Sequence, residues 1–287
     1  MTLQSDVAPL RRVVLKHARD AFVGAARISE QWTALDWLAP PDFDAACRES
    51  DAFGALLESL GVAIEWLPAA DVGLDSIYVR DAAVVCDAGA VLSRMGKRMR
   101  ADEPVLLGGA LAHVGAPVLG AIGPPGTLEG GDAVWLSQDT LAVGRGKRTN
   151  AAGIAQLTAL LPGVDVLAVP LPDWSGPGDV FHLMSVLSPL ADDLALVYPP
   201  LLPGSFRGEL RARGFELVEV PAMEFDTLGP NVLAVAPRVV VALDGSPETA
   251  FRMKAAGVEV HTYRGEEISR KGYGGPTCLT RPLEREA

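Results

Sequence analysis

Residues 252–263 read RMKAAGVEVHTY, in which a segment with helical spacing ends at Gly257 and an alternating, strand-like run follows at once. The same junction recurs at Gly61, Gly115, Gly163 and Gly214, at intervals of 43 to 54 residues. Glycine suits this position because the residue after a helix C-terminus adopts a left-handed conformation, which a Cβ atom disfavours. The β-branched run that follows is typical of a strand. Five helix–glycine–strand units therefore organise the chain.

The spacing also predicts the bounds of the elements. Helices are expected at about 42–60, 101–114, 150–161, 204–213 and 247–256, with Asp42 and Asn150 as candidate N-caps. Besides the strands after the five glycines, strands are predicted at 77–86, 90–93, 133–136, 140–144, 194–198, 232–236 and 238–243.

Two α/β architectures explain five such units. Radial repetition would give a propeller of α/β modules, since similar units of 40–55 residues are its signature. An ordinary doubly wound sheet has the same helix–strand junctions, and spacing alone does not separate the two. No segment resembles a linker, so residues 1–287 are interpreted as a single domain.

Composition limits the classes of partner. The chain has 287 residues, 49% of them hydrophobic, and a net charge of −11. This excess of acid argues against nucleic acid and anionic membranes, and it suits a small cationic ligand. The N-terminus lacks a signal-peptide core, and no stretch is typical of a membrane span, so a cytoplasmic protein is expected.

Cys278 is the candidate nucleophile. It lies in GYGGPTCLTRPL, where the glycines and proline that precede it can present a thiol in an irregular, closely approached loop. Cys47 falls on a predicted helix and Cys86 in a predicted strand, which is typical of buried structural cysteines. Three scattered cysteines do not indicate a disulfide framework or a zinc site.

His182 and Glu129 are candidates for acid–base chemistry. His182 follows a Gly176-Pro177-Gly178 turn and lies in an apolar segment, so it is either a satisfied core histidine or a general acid/base. Glu129, in GTLEGGD, lies between a turn and a strand, where the following glycines would let it approach a histidine closely.

Two further groups carry charge that could bind a substrate. Asp75 and Asp81 bracket DSIYVRD, interpreted as a strand with a carboxylate at each end; the pair could hold a planar guanidinium, or Arg80 and Asp81 could form a surface ion pair. Arg100 and Arg148 lie in basic runs and could together hold a substrate carboxylate. GRGKR lacks phosphate-loop spacing, and no motif indicates a metal.

In order along the chain, LDSIYVRD, GTLEGGD, RTNAAG, FHL and GGPTC resemble the guanidino-group-modifying superfamily, the penteins. The resemblance runs from about residue 12 to 281 and is strongest to dimethylarginine dimethylaminohydrolases, with arginine deiminases and amidinotransferases as relatives. It implies a five-bladed α/β propeller with pseudo-fivefold symmetry.

The resemblance also implies roles for residues. Cys278 matches the nucleophile, His182 the acid/base and Glu129 the carboxylate that orients the histidine. Substrate-binding positions match Asp75, Arg80, Asp81, Arg100 and Arg148, and Gly272 falls where a backbone carbonyl contacts the ligand. Arg80 replaces the glutamate of dimethylargininases and is more similar to arginine deiminases and amidinotransferases.

The implied activity is hydrolysis of an arginine-like guanidino compound through a covalent S-alkylthiouronium, which gives citrulline and an amine or ammonia. The implied chemistry requires no cofactor or metal, and its partner is a small guanidino substrate; a homodimer is possible. Amidino transfer at the same site is an alternative, as is a protein that binds guanidino metabolites without turnover.

Overall fold

Five small sheets make up the fold. The structure is a computed structural model that describes residues 2–173 and 181–286. Each sheet has three strands. In sheet order they are β15 (Arg281–Arg285), β1 (Leu10–Leu15) and β2 (Ala63–Trp66); β3 (Ala83–Cys86), β4 (Gly89–Leu92) and β5 (Val118–Ala121); β6 (Ala133–Ser137), β7 (Thr140–Arg145) and β8 (Asp165–Pro170); β9 (Leu187–Ala191), β10 (Leu194–Val197) and β11 (Glu216–Glu219); and β12 (Val232–Ala236), β13 (Val239–Leu243) and β14 (Glu259–Tyr263).

Every sheet has the same connectivity. The first strand pairs antiparallel with the second, and the second pairs parallel with the third. A helix joins the second strand to the third: α3 (Phe43–Ser59), α4 (Glu103–His113), α5 (Ala151–Leu160), α6 (Gly204–Ala212) or α7 (Pro247–Ala255). Two short helices, α1 (Ala18–Phe22) and α2 (Ala25–Gln31), precede α3. The fold is thus a mixed α/β fold of five repeated units.

The predicted helix–glycine–strand junctions are confirmed. The five glycines have φ between +79° and +93°, which favours glycine. Asp42 Oδ1 accepts from the Ala45 N–H at 2.7 Å, and Asn150 Oδ1 accepts from the Gly153 N–H at 2.8 Å, so both predicted N-caps are present.

The first and second strands of the sheets are more buried than the third strands. β3 and β9 are buried at every position, whereas β2 is buried at none. The buried first strand β3 (AVVC) is apolar at every position, and β9 (LSPLA) is apolar except for Ser188. Truncating a fully buried side chain such as Leu141 to alanine would cost about 2–5 kcal/mol. Across the described residues, no helix combines the length and apolarity needed to cross a membrane.

The predicted strand at 77–86 is wrong in its first half. Two consecutive 3-10 turns, Leu74–Ile77 and Val79–Ala82, occupy LDSIYVRDA, and the strand begins only at Ala83. The N–H of Tyr78 donates to the carbonyl of Asp75 at 2.9 Å, a local bond that an extended strand could not make. The turns shorten the separation between Asp75 and Asp81, and this brings both to one cleft.

Candidate active site

Most of the predicted site residues line a single cleft. It is formed by Leu35, Asp75, Tyr78, Asp81, Arg100, Glu129, Arg148, His182, Gly272, Tyr273, Gly274 and Cys278. Many of these side chains come from segments that lead into first strands, so the cleft lies at the N-terminal ends of those strands. Of the predicted residues, only Arg80 lies elsewhere. The Gly176-Pro177-Gly178 turn before His182 falls outside the described residues.

His182 is held by Glu129. Its Nε2 lies 2.8 Å from Glu129 Oε2, and both side chains are buried. The N–H of Gly96 donates to the other Glu129 oxygen at 2.8 Å. Burial alone would raise the pKa of Glu129, but the hydrogen bond and charge of His182, with Arg148, lower it to about 2. A carboxylate that is ionised at neutral pH therefore orients the imidazole.

His182 is itself strongly basic. Burial would lower its pKa, but the surrounding carboxylates Asp81, Asp132 and Glu129 raise it to about 9. The imidazole is therefore protonated at neutral pH.

Asp132 ties together the backbone around this pair. It accepts from the Leu183 N–H at 2.9 Å and from the Thr149 hydroxyl at 2.6 Å, and Thr149 Oγ1 accepts from the Glu129 N–H at 3.1 Å. Burial raises the pKa of Asp132 to about 6. One carboxyl group thus supports the segments that carry both Glu129 and His182.

Asp81 offers one carboxylate oxygen to the cleft. Its Oδ2 accepts from Arg100 at 2.7 Å, whereas its buried Oδ1 has no hydrogen-bond partner among the described residues. This Oδ1 lies 3.8 Å from His182 Nδ1. A Cβ on Gly131 would fall 2.6 Å from Oδ1 and 2.7 Å from Nδ1, so only glycine allows this approach. An unpartnered buried carboxylate oxygen is an acceptor for a cationic donor.

Arg100 is committed to protein groups. It donates to both oxygens of Glu103, to Asp81 and to the carbonyls of Asp75 and Tyr78. Burial opposes its charge, but Glu103 and Asp81 hold the pKa of Arg100 well above its usual range. The guanidinium therefore acts mainly to fix Asp81 and the turn at 74–82.

Both oxygens of Asp75 also contact protein donors. Trp37 Nε1 donates to Oδ1 at 2.8 Å, and Lys97 Nζ lies 3.5 Å from Oδ2. The indole of Trp37 stacks on Tyr78, with ring centroids 6.0 Å apart. Gly272 lies against these rings, because a Cβ there would come within 2.7 Å of the indole. This wall of the cleft is therefore aromatic and tightly packed.

Cys278 is partly buried beside Asn231, whose Nδ2 lies 3.4 Å from the sulfur. Asn231 Oδ1 accepts from both the N–H and the hydroxyl of Thr277, which fixes the loop. Burial and the negative charge of Asp81 raise the pKa of Cys278 to about 11, although hydrogen bonds from Asn231 and the loop oppose the shift. The nucleophile candidate is thus a neutral thiol at pH 7.

The two remaining predicted arginines, Arg148 and Arg80, lie in different places. Arg148 lies in the cleft with Nη1 3.6 Å from Glu129 Oε1. Arg80 points away and forms a buried ion pair with Asp6 at 2.6 Å. Sequence reasoning assigned Arg80 to the substrate because it adjoins Asp81, but successive residues of a turn point in different directions.

The atoms of Asp81, Glu129 and His182 that could bind a metal lie within 4.8 Å of one another. However, Arg100 donates to Asp81, and His182 pairs with Glu129. Two guanidinium groups, of Arg100 and Arg148, stand at these carboxylates and would repel a divalent cation. Three of the four carboxylate oxygens of Asp81 and Glu129 already contact protein donors, so the set does not fit a metal ion.

Glu103, Trp37 and Asn231 were not found by sequence reasoning. Asn231 could have been recognised from the repeats, because a polar residue stands directly before the first strand in other units, as Asp132 and Thr280 do. Glu103 had a weaker signal, an acidic residue three positions after Arg100.

Solved structures of guanidino-modifying enzymes have the same fold as this chain. A DDAH mutant from Pseudomonas aeruginosa, complexed with citrulline, superposes with a TM-score of 0.77 at 23% identity over 96% of this chain and 100% of that one. The N-terminal domain of ArgZ, a cyanobacterial arginine dihydrolase bound to substrate, gives a TM-score of 0.82 at 18% identity over 96% of this chain and 98% of that one.

The chain belongs to the arginine deiminase family, whose model matches residues 75–209 and 202–285. The family membership predicted from the motifs is thereby confirmed. The arginine deiminase of Listeria welshimeri is 29% identical over 73% of this chain and 61% of its own length. The N(G),N(G)-dimethylarginine dimethylaminohydrolase of Streptomyces coelicolor is 36% identical over 56% of this chain and 60% of its own length. The chain thus spans about three fifths of these relatives.

Proposed function

We propose that the protein is a cysteine-dependent hydrolase that attacks the guanidino carbon of an arginine-like substrate. One observation carries this proposal: the unpartnered Oδ1 of Asp81 faces a cleft that also holds the thiol of Cys278 and an imidazole fixed by Glu129. A guanidinium is the cation whose planar N–H groups match a carboxylate.

The ionisation states favour binding before reaction. At neutral pH the free site holds a neutral thiol and an imidazolium. A guanidinium that binds Asp81 offsets the charge that raises the thiol pKa, so the bound substrate itself promotes thiolate formation.

The chemistry then follows in two halves. The Cys278 thiol loses its proton to solvent, since His182 is already protonated. The thiolate then adds to the guanidino carbon, and the proton on His182 goes to the departing ammonia or amine. The S-alkylthiouronium that remains is attacked by water, whose proton His182 accepts. Breakdown of this second adduct passes its hydroxyl proton to the departing sulfur, releases the ureido product and restores the neutral thiol, while His182 is again protonated, so atoms and charges balance.

Arg148 is proposed to bind the substrate carboxylate. It is the arginine of the cleft that is not tied to the Glu103 network. Asp75 is proposed to act mainly on the shape of the site, because Trp37 and Lys97 already contact its oxygens. The carbonyl of Gly272 remains a proposed ligand contact.

The five repeated units are proposed to form a five-bladed α/β propeller with pseudo-fivefold symmetry, in which residues 1–287 act as one catalytic domain. Contacts between the first strands of different sheets support this arrangement, such as the bond from Arg285 of β15 to Ala234 of β12. A cytoplasmic location is proposed because Cys47, Cys86 and Cys278 are all free thiols, which suits a reducing compartment. A homodimer stays a prediction.

The test is product formation from arginine, methylated arginines and agmatine, assayed for ammonia and ureido groups. A citrulline-forming activity lost in Cys278→Ser and His182→Ala supports the proposal, and wild-type turnover in either variant refutes it. Adding an acceptor amine such as glycine separates hydrolysis from amidino transfer, which would give a new guanidino product. Tight arginine binding without product would instead indicate a binding protein.

A further inference from the structure

The side chain of Asn231 contacts the sulfur of Cys278. Its Nδ2 donates to Sγ at 3.4 Å, and Asn231 is only 4% exposed. Cys278 lines the cleft, whereas Asn231 is not among the described residues that do. The amide therefore contacts the sulfur from the protein interior, and it does not occupy the space in which a substrate would bind.

The hydrogen bonds of Asn231 determine which way its amide points. Its Oδ1 accepts from the Thr277 N–H at 3.1 Å and from the Thr277 hydroxyl at 2.6 Å. Because a backbone N–H can only donate, the amide oxygen must face Thr277. The NH₂ group must then face the sulfur, so Cys278 receives a donor rather than a second acceptor.

The same NH₂ group also reaches the segment that carries His182. Nδ2 donates to the carbonyl of Met184 at 3.4 Å, and Met184 lies in the short 3-10 turn Leu183–Ser185 directly after His182. An amide nitrogen has two hydrogens, so it can make both bonds at once. Asn231 thus links the loop of the candidate nucleophile to the turn of the candidate acid/base.

The backbone around Asn231 is held in place. The Ser188 hydroxyl of β9 donates to the Pro230 carbonyl at 2.7 Å and accepts from the Val232 N–H at 3.1 Å. On the other side, a Cβ on Gly275 would fall 2.5 Å from Asn231 Oδ1, so glycine allows the loop to come this close. A donor fixed in this way does not have to reorganise when charge develops on the sulfur.

We propose that Asn231 is a further catalytic residue, whose N–H group stabilises the Cys278 thiolate that attacks the guanidino carbon. This inference rests on the proposed function. When the thiol loses its proton to solvent, the weak N–H···S contact becomes a charge-assisted hydrogen bond, which is about twice as strong. The hydrogen bond from Asn231 also opposes the rise in the thiol pKa that burial and Asp81 cause.

Alkylation of the full-length protein by iodoacetamide at pH 8 tests the inference without any substrate. Asn231→Asp keeps an acceptor for both groups of Thr277 but replaces the donor by a charged oxygen, so Cys278 should react more slowly by about tenfold or more. Asn231→Leu removes the donor without adding charge and should slow the reaction by about three- to tenfold. Mass spectrometry of the Cys278 peptide measures both rates.

Two controls separate this effect from a change in the fold. Asn150→Asp makes the same substitution at the N-cap of α5, where aspartate caps as well as asparagine, and its Cys278 should react like that of wild type. Cys47 is a second, partly exposed thiol in the same samples, and its alkylation rate should be equal in all variants. Faster alkylation of Cys47 in an Asn231 variant would reveal a loosened structure.

Turnover provides the second readout. In Asn231→Asp, kcat should fall by about tenfold while KM stays close to that of wild type, because Asn231 contacts the reacting sulfur but does not line the cleft. The inference is overturned if Cys278 reacts at the wild-type rate in both Asn231 variants, if Asn150→Asp slows it equally, or if slower alkylation leaves kcat unchanged. Slower alkylation in variants of a wild type that forms no product would instead refute the proposed function and leave the bond from Asn231 to the sulfur supported.

Discussion

His182 Nε2 lies 2.8 Å from Glu129 Oε2, while its Nδ1 lies 3.8 Å from Asp81 Oδ1. One ring nitrogen is therefore fixed by a buried carboxylate, and the other faces the oxygen proposed to bind the substrate. This arrangement makes Nδ1 the atom that would transfer protons. It also accounts for the opposite pKa shifts of the two partners.

The first prediction concerns the basicity of His182. In Glu129→Gln the carboxylate that helps raise the imidazole pKa is lost, so that pKa should fall from about 9 by about one unit or more. Histidine ¹⁵N NMR titration measures it, with His182→Asn to assign the resonance. Asp51→Asn, which alters the exposed partner of His17, is the control and should leave the pKa of His182 unchanged. A changed His182 pKa in Asp51→Asn, or an unchanged one in Glu129→Gln, would contradict the account.

The second prediction concerns stability. Glu129→Gln leaves a buried imidazolium without its partner and should cost roughly 3–5 kcal/mol at neutral pH. Because the pKa of Glu129 is lowered to about 2, its contribution is present above 4.5 and is lost as pH falls. Because the pKa of His182 is raised to about 9, its contribution is present below 6.5 and is lost as pH rises.

Urea unfolding of wild type and Glu129→Gln measures this difference. It should be largest between pH 4.5 and 6.5 and shrink towards pH 2 and above pH 9. A difference that does not vary with pH would show that the pair is not ionised as described.

A third prediction separates thiol reactivity from turnover. Asp81 raises the pKa of Cys278, so Asp81→Asn should make the thiol react faster with iodoacetamide at pH 8, by about tenfold, while turnover is lost. Mass spectrometry of the peptide that contains Cys278 follows the alkylation. Asp75→Asn is the matched control, because Asp75 contacts Trp37 and Lys97, and its alkylation rate should stay near wild type.

A fourth prediction divides the two arginines of the cleft. Arg148→Ala should raise KM for arginine by about tenfold and affect agmatine much less, because agmatine lacks the carboxylate. Arg100→Ala leaves Glu103 and Asp81 without their buried partner, so it should lower kcat for both substrates and destabilise the protein. An equal rise in KM for arginine and agmatine in Arg148→Ala would show that Arg148 does not bind the substrate carboxylate.

Local sequence patterns predicted the repeated units well. The junctions at Gly61 and Gly257 depend on nearest-neighbour geometry, so glycine followed by an alternating run was sufficient. By contrast, β15 pairs with β1 across nearly the whole chain, and no local pattern specifies such a partner. The strand β9 was also missed, because Pro189 interrupts its pattern.

The sequence predicted those residues of the candidate site that lie in recognisable motifs. Cys278, His182 and Glu129 were found from ordered motifs, and the structure brings them to one cleft. The ion-pair partners of Arg80 and Arg100 were not predictable from the sequence, because the tertiary fold determines that Asp6 and Glu103 lie beside them. In a turn, adjacent side chains point in different directions, so a residue's neighbour in the sequence does not indicate which residue its side chain will contact.

Rapid acid quenching of wild type with excess arginine, followed by mass analysis of the Cys278 peptide, tests the central claim most directly. We predict an adduct equal to arginine minus ammonia on Cys278, which disappears in Cys278→Ser together with citrulline formation. Citrulline formed at the wild-type rate without any adduct, or by Cys278→Ser, would contradict covalent attack by this thiol.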